Sequence, residues 1–254
     1  MISRARVTLL AVLVLLPPSE TKAAGGDGPP LDLDALSFPE LNPLRRKLAD
    51  ALAELAGDVP ESLNVLGLSG RQEEEVARNA ALWSAPTLPA LERYTGVLYD
   101  ALDYGGLRPA ARAKADRRLA VASALFGIAR GDDRIPAYRL SGGTTLPALG
   151  TLRSLWRPVL EPALAEVDGL IVDLRSGAYA ALARIPRAIT VRVVTASGRT
   201  VSHFNKAYKG KLAAALATAS REPSTVEGLI GAAERAGITL DRVGEQELEL
   251  ITDR

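Results

Sequence analysis

The sequence predicts an α+β protein, a single domain whose mixed central sheet is flanked by helices. Three observations predict it. Short apolar runs of strand length, rich in branched residues, recur at 12–16, 119–126, 170–174 and 189–195, where length favours strand over buried helix. Apolar stripes at helical spacing lie between them, as at Leu44, Leu48, Leu52 and Leu55. The two kinds of segment do not alternate strictly, which argues against a regular α/β winding. With 254 residues, 47% of them apolar, the chain builds its core without staples. Having no cysteine, it has no disulfide framework, no thiolate metal site and no cysteine nucleophile.

Two readings compete for the first 23 residues. Arg4 and Arg6, the apolar run at 7–16 and the Thr21-Lys22-Ala23 segment imitate a secretory signal. The run at 12–16, stopped by Pro17-Pro18, equally suits a strand buried on both faces. Both stay open on the residues alone. A transmembrane helix is not expected, because ten apolar residues are too few to cross a bilayer.

The elements follow in order. Residues 24–30 read as a Gly/Pro loop. Asn42-Pro43 opens a helix, with Asn as cap and Pro at the first position, and Gly57 ends it. A second helix covers 72–83, its Glu73, Glu74 and Glu75 favourable at the positive end. Residues 88–107 are helical in part, broken by Gly96 and Gly105-Gly106, and 108–118 is a basic helix. Thr151 caps a helix kinked at Pro158. Ser176 caps a short helix through Leu182. The runs 189–195 and 200–204 flank a turn and read as a hairpin. A helix spans 206–219. Ser224 and Glu227 have capping-box spacing for the next one, which Gly237 closes. Strands at 238–240 and 247–251 end the chain. Trp83 and Trp156 sit in apolar helical stripes and read as core.

Several chemistries are excluded or weak. A Ser-His-acid triad needs histidine, and the single His203 has no Gly-x-Ser-x-Gly elbow to serve. One histidine without cysteine does not make a zinc site. Neither metal nor cofactor is expected. The Ser141-Gly142-Gly143-Thr144-Thr145 segment offers backbone N–H groups to a phosphate or is an ordinary tight turn. Lys22 follows the first strand, where open sheets place ligands. Residues 125–131 loosely fit a helix-hairpin-helix turn or a strand ending in a Gly turn. Charge gives the strongest signal. Net charge is only +1, yet no acidic residue lies between Asp173 and Glu222, while Arg175, Arg184, Arg187, Arg192, Arg199, Lys206, Lys209, Lys211 and Arg221 all do. Lys206 and Lys209, three apart, can share a helix face and meet phosphates without reading bases. Alternatively, the acidic tail folds across this stretch and balances it.

In their order, several segments resemble the YaaA-type peroxide-stress protein family (the UPF0246 group). These are 14–22 with its Ser/Pro/Lys loop, Tyr94 to Tyr99, Leu125 to Ile128, Ala137 to Leu140, Leu155-Trp156, Val172 to Tyr179, and Phe204-Asn205-Lys206 with Lys209-Gly210. Glu20 before Thr21, Gly177-Ala178 before Tyr179 and Lys209 in place of arginine depart from the family pattern. The resemblance makes 12–16 the first strand and 12–254 one domain, with 1–11 an N-terminal extension. It implies cytoplasmic action in the peroxide stress response, limitation of intracellular free iron, and sequence-tolerant binding of double-stranded DNA. It carries over Lys22, Tyr138, Arg139, Ser176, Tyr179, Lys206 and Lys209 as DNA- or phosphate-binding candidates. No catalytic reaction comes with it; the alternative is an enzyme acting on a nucleotide or other phosphate-containing substrate.

Overall fold

The computed structural model describes residues 12–195, 197–198 and 205–252. Its strands are β1 (Val12–Leu16), β2 (Leu88–Pro89), β3 (Leu119–Ser123), β4 (Gly127–Arg130), β5 (Arg134–Ile135), β6 (Thr145–Leu146), β7 (Gly150–Thr151), β8 (Leu170–Asp173), β9 (Ile189–Thr195), β10 (Thr239–Arg242) and β11 (Glu247–Thr252). Its helices are α1 (Asn42–Leu55), α2 (Val59–Leu66), α3 (Glu73–Ala80), α4 (Ala90–Arg93), α5 (Val97–Leu102), α6 (Pro109–Arg118), α7 (Leu152–Ala165), α8 (Gly177–Ala181), α9 (Asn205–Thr218) and α10 (Val226–Glu234). Seven strands form one mixed sheet in the order β10-β11-β9-β8-β1-β3-β4. The inner pairs are parallel, and β10 and β4 close the edges antiparallel. The α+β class read from the sequence is therefore what forms.

β1 sits at the centre, with parallel partners β3 and β8, and all five of its residues are fully buried. Its uninterrupted apolar run is the pattern of a strand covered on both faces. α6 and α9 pack on β1, and α5 packs on α9. Gly210 makes that helix pair close: a Cβ there would lie 2.2 Å from the Leu98 carbonyl oxygen. Backbone cannot yield as a side chain does, so Gly210→Ala is expected to cost about 2–3 kcal/mol. Urea denaturation would show it as a lower midpoint at unchanged slope. Arg118, buried, donates to the carbonyls of Leu216, Ala217 and Ala219 and so satisfies the end of α9.

Several local expectations need correction. Residues 125–131 are not a helix-hairpin-helix turn but the end of the tight connection from β3, followed by its antiparallel neighbour β4 itself. Ser123 Oγ accepts from the N–H groups of Leu125 and Phe126, and Arg45 holds the Phe126 and Ile128 carbonyls. Those N–H groups are used inside the protein. Asn42 lies within α1 and is not its N-cap; its side chain bonds the Leu33 carbonyl and Arg45 instead. Thr225, not Ser224, caps α10. Ser176 stands at the cap position of α8, but its side chain makes no capping bond. α2, capped by Asp58, was not read from the sequence. The strand at 200–204 and His203 fall outside the described residues; β9 pairs with β8 and β11, both parallel. Trp156 is fully buried, while Trp83 is partly buried and donates to Asp50 at 3.0 Å.

Candidate functional site at the carboxyl ends of the central strands

From β1 the chain crosses to β3 on one side, whereas β8 lies on the other and leads on to β9. Adjacent strands whose connections diverge leave a crevice beyond their carboxyl ends, the usual ligand position in open sheets. The residues after β1, β3 and β8 converge there. Pro17 to Lys22 follow β1, Ser123 ends β3, and Leu174 to Tyr179 follow β8.

Lys22 is the centre of the arrangement. It pairs as an isolated antiparallel bridge with Tyr94. Its Nζ lies 4.3 Å from the Tyr138 ring centre and 5.4 Å from that of Tyr94, in cation–π contact. The Ser19 and Glu20 carbonyls accept from it at 3.3 and 3.4 Å. Only 9% of the residue is exposed. Burial lowers its pKa to about 8, against the opposing pull of Glu20 and with Arg139 helping the shift.

The hydroxyls of the two rings under the ammonium form a chain with Ser123. Tyr138 OH lies 2.7 Å from Ser123 Oγ and 2.8 Å from Tyr94 OH. Burial raises the pKa of both tyrosines, so both stay protonated donors. Tyr99 OH donates to the Pro17 carbonyl at 2.9 Å and fixes the turn out of β1. Arg139 forms an ion pair with Glu20 at 3.0 Å, while its Nε is buried without a partner. Asn79 holds the Arg139 backbone at both its N–H and its carbonyl. Tyr179, its pKa raised by burial, is met by the Gly142 backbone and the Ser141 side chain. The 141–145 segment is a tight turn, closed from Thr144 N–H to the Ser141 carbonyl, that seats Tyr179.

The candidates from sequence divide accordingly. Lys22, Tyr138, Arg139 and Tyr179 come together. Ser176 is exposed at the start of α8. Lys206 and Lys209 do not share a surface. Lys206 is exposed and lines a cleft of about 290 Å³ with Pro17, Ser19, Glu20, Thr95 and Gly96. Lys209 is buried and donates to the Leu174 carbonyl at 2.9 Å, just past β8. The acid-free stretch is not an acid-free surface. Asp173 holds Arg175 through two bonds of 2.8 and 2.9 Å, and Glu249 of the acidic tail meets Arg192 at 2.9 Å across the β9–β11 pair. Arg187 donates to the backbone carbonyls of Gly169, Leu164 and Val167. Ser123 was missed, because a serine inside an apolar run carries no signal. Tyr94 was seen only as part of a family segment.

Among the described residues no group of three or more His, Cys, Asp or Glu is placed to hold a metal ion. No helix among them is long and apolar enough to cross a membrane. Fold and site define an α+β protein with a cationic, hydroxyl-lined centre at the carboxyl edge of a largely parallel sheet. The family model described as peroxide stress protein YaaA matches residues 12–240, and the chain belongs to that family. It is 49% identical over 249 residues to a UPF0246 protein of Corynebacterium efficiens, covering 95% of this chain and 99% of the relative. A UPF0246 protein of Streptomyces coelicolor is 46% identical over 239 residues, covering 91% and 92%.

Proposed function

We propose that this chain acts in the cytoplasm in the peroxide stress response, limiting free iron, and does so by binding a phosphate-bearing ligand at the Lys22–Arg139 centre. One observation carries the ligand class: two largely buried cations lie together, Arg139 paired with the half-exposed Glu20 and Lys22 with no carboxylate among the described ion pairs. That leaves positive charge for an anion, and a guanidinium suits phosphate geometry. The family match supports the physiological setting.

Double-stranded DNA is the ligand to test first. Lys206, exposed at the cleft, favours it, because a phosphodiester backbone reaching the centre would pass that lysine. An enzyme acting on a nucleotide uses the same residues. Binding of duplex DNA, mononucleotides and inorganic phosphate would be titrated against salt for the wild type, Arg139→Ala and Lys206→Glu. Arg139→Ala is expected to weaken the bound phosphate species at least about tenfold, a loss of about 1.4 kcal/mol. If DNA is the ligand, Lys206→Glu also lowers the salt slope. Wild-type affinity in Arg139→Ala for all three ligands, with full rescue of peroxide survival and chelatable iron in a strain lacking the gene, would sink the reading.

A further inference from the structure

The ammonium of Lys22 lacks what a structural lysine in a core has. No carboxylate lies within ion-pair distance among the described residues, because Glu20 directs its oxygen to Arg139. Two carbonyl oxygens at 3.3 and 3.4 Å are its hydrogen-bond partners, and two aromatic rings form its floor. An amine paired with a carboxylate stays protonated and has no lone pair to offer. The rings and carbonyls favour the ammonium, but burial with no carboxylate partner and a nearby guanidinium favour the neutral amine more.

We propose that Lys22 captures carbonyl compounds, forming a reversible imine with an aldehyde or ketone group on a phosphate-bearing ligand. The proposal rests on the phosphate reading above, with Arg139 as the anchor for the anion. The lone pair of the neutral amine forms the N–C bond while the carbonyl π pair moves to oxygen. That oxygen takes protons and leaves as water, and the nitrogen gives up both its hydrogens. The products are one imine and one water, with no oxidant or reductant required. The charged groups that act on Lys22 are Glu20, Arg139, Glu75 and Arg78. Arg78 and Glu75 neutralise each other at 2.9 Å. With a pKa of about 8, Lys22 holds roughly 300 times more neutral amine at pH 7 than a lysine at the ordinary 10.5.

Pyridoxal 5′-phosphate, an aldehyde carrying a phosphate, is the probe. The full chain would be incubated with it, reduced with borohydride and mapped by peptide mass spectrometry. Lys22 is expected to be labelled at least about tenfold faster than Lys47, Lys114, Lys206 and Lys211, with a pH midpoint near 8 and protection by excess inorganic phosphate. An unlabelled Lys22, or labelling no faster than at those four, overturns the proposal even if phosphate stabilises the chain against heat; the phosphate reading then stands alone. If pyridoxal without its phosphate labels Lys22 equally fast and inorganic phosphate gives no protection, imine formation is upheld and the phosphate reading fails. The mapping is done on the wild-type chain, so no variant has to fold.

Discussion

Arg93→Met is expected to lower stability by about 3 kcal/mol and to loosen the Lys22 loop. Arg93 is fully buried at the end of α4, and no carboxylate among the described ion pairs reaches it. Its guanidinium donates instead to four backbone carbonyls. Nε bonds Ile135 at 3.1 Å, Nη1 bonds Ala23, and Nη2 bonds Gly25 and Pro86 at 2.8 and 3.1 Å. These acceptors come from β5 and two separate loops, one of them immediately after Lys22. Hydrogen bonds to a charged donor contribute about 1.5–3 kcal/mol each, and an acceptor left bare in the interior costs more than its bond returned. Part of the loss is offset because methionine does not bury a charge. Burial lowers the arginine pKa to about 10, so the side chain stays fully protonated at neutral pH. The net loss corresponds to a fall in Tm of roughly 6–12 °C for a domain of this size. Arg93→Lys is expected to recover little, since a point charge cannot serve four acceptors arranged around a fork. Hydrogen exchange at the Ala23 N–H, which bonds the Arg93 carbonyl at 2.9 Å, reports the loop directly. Unchanged exchange there together with wild-type stability would show that the carbonyl cluster is not what holds the Lys22 loop.

Arg93 also marks the limit of what the sequence discloses. An arginine near the end of a short helix reads as a solvated charge, and nothing in its neighbours says that loop carbonyls will surround it. Arg45 and Arg118 are similar: each is buried and donates to carbonyls more than eighty residues away. The central strand was legible for the opposite reason. Branched apolar residues stopped by Pro17-Pro18 specify a doubly covered strand from local information alone, although only the family resemblance separated it from a signal. Lys209 shows why the basic surface misled. A lysine's long stem can lead its amine outward or inward, and the choice depends on what α9 packs against. Here the close contact at Gly210 draws α9 in, and the Leu174 carbonyl receives the amine. For the site, family segments gave Lys22, Tyr138, Arg139 and Tyr179. The hydrogen bonds that join Ser123 to Tyr138 and Tyr138 to Tyr94 connect positions 15 and 44 residues apart, which no local pattern encodes.

Lys22→Met is expected to raise stability at neutral pH by about 1–2 kcal/mol while abolishing phosphate binding. The direction follows from proton linkage. The pKa of Lys22 is depressed from 10.5 to about 8 in the folded chain. The unfolded chain therefore binds more protons between those values, and stability rises with pH across that window. The stability associated with this group is present above pH 10.5, is lost as pH falls to about 8, and stays lost below. A shift of this size corresponds to about 3 kcal/mol. Methionine has a similar unbranched reach, carries no charge and packs well against the Tyr138 and Tyr94 rings. It forfeits the cation–π contacts and the two weak bonds to carbonyls, which offset about half of the gain. The measurement is the difference between wild-type and variant unfolding free energies from pH 7 to 11, which cancels the titrations the two chains share. That difference should fall by about 3 kcal/mol and change sign as pH rises through the window. A flat difference curve, or a variant less stable than wild type at pH 7, would mean that the ammonium is not under burial strain. A residue whose charge weakens the fold is what the proposed phosphate site predicts, a site kept for binding at the expense of stability.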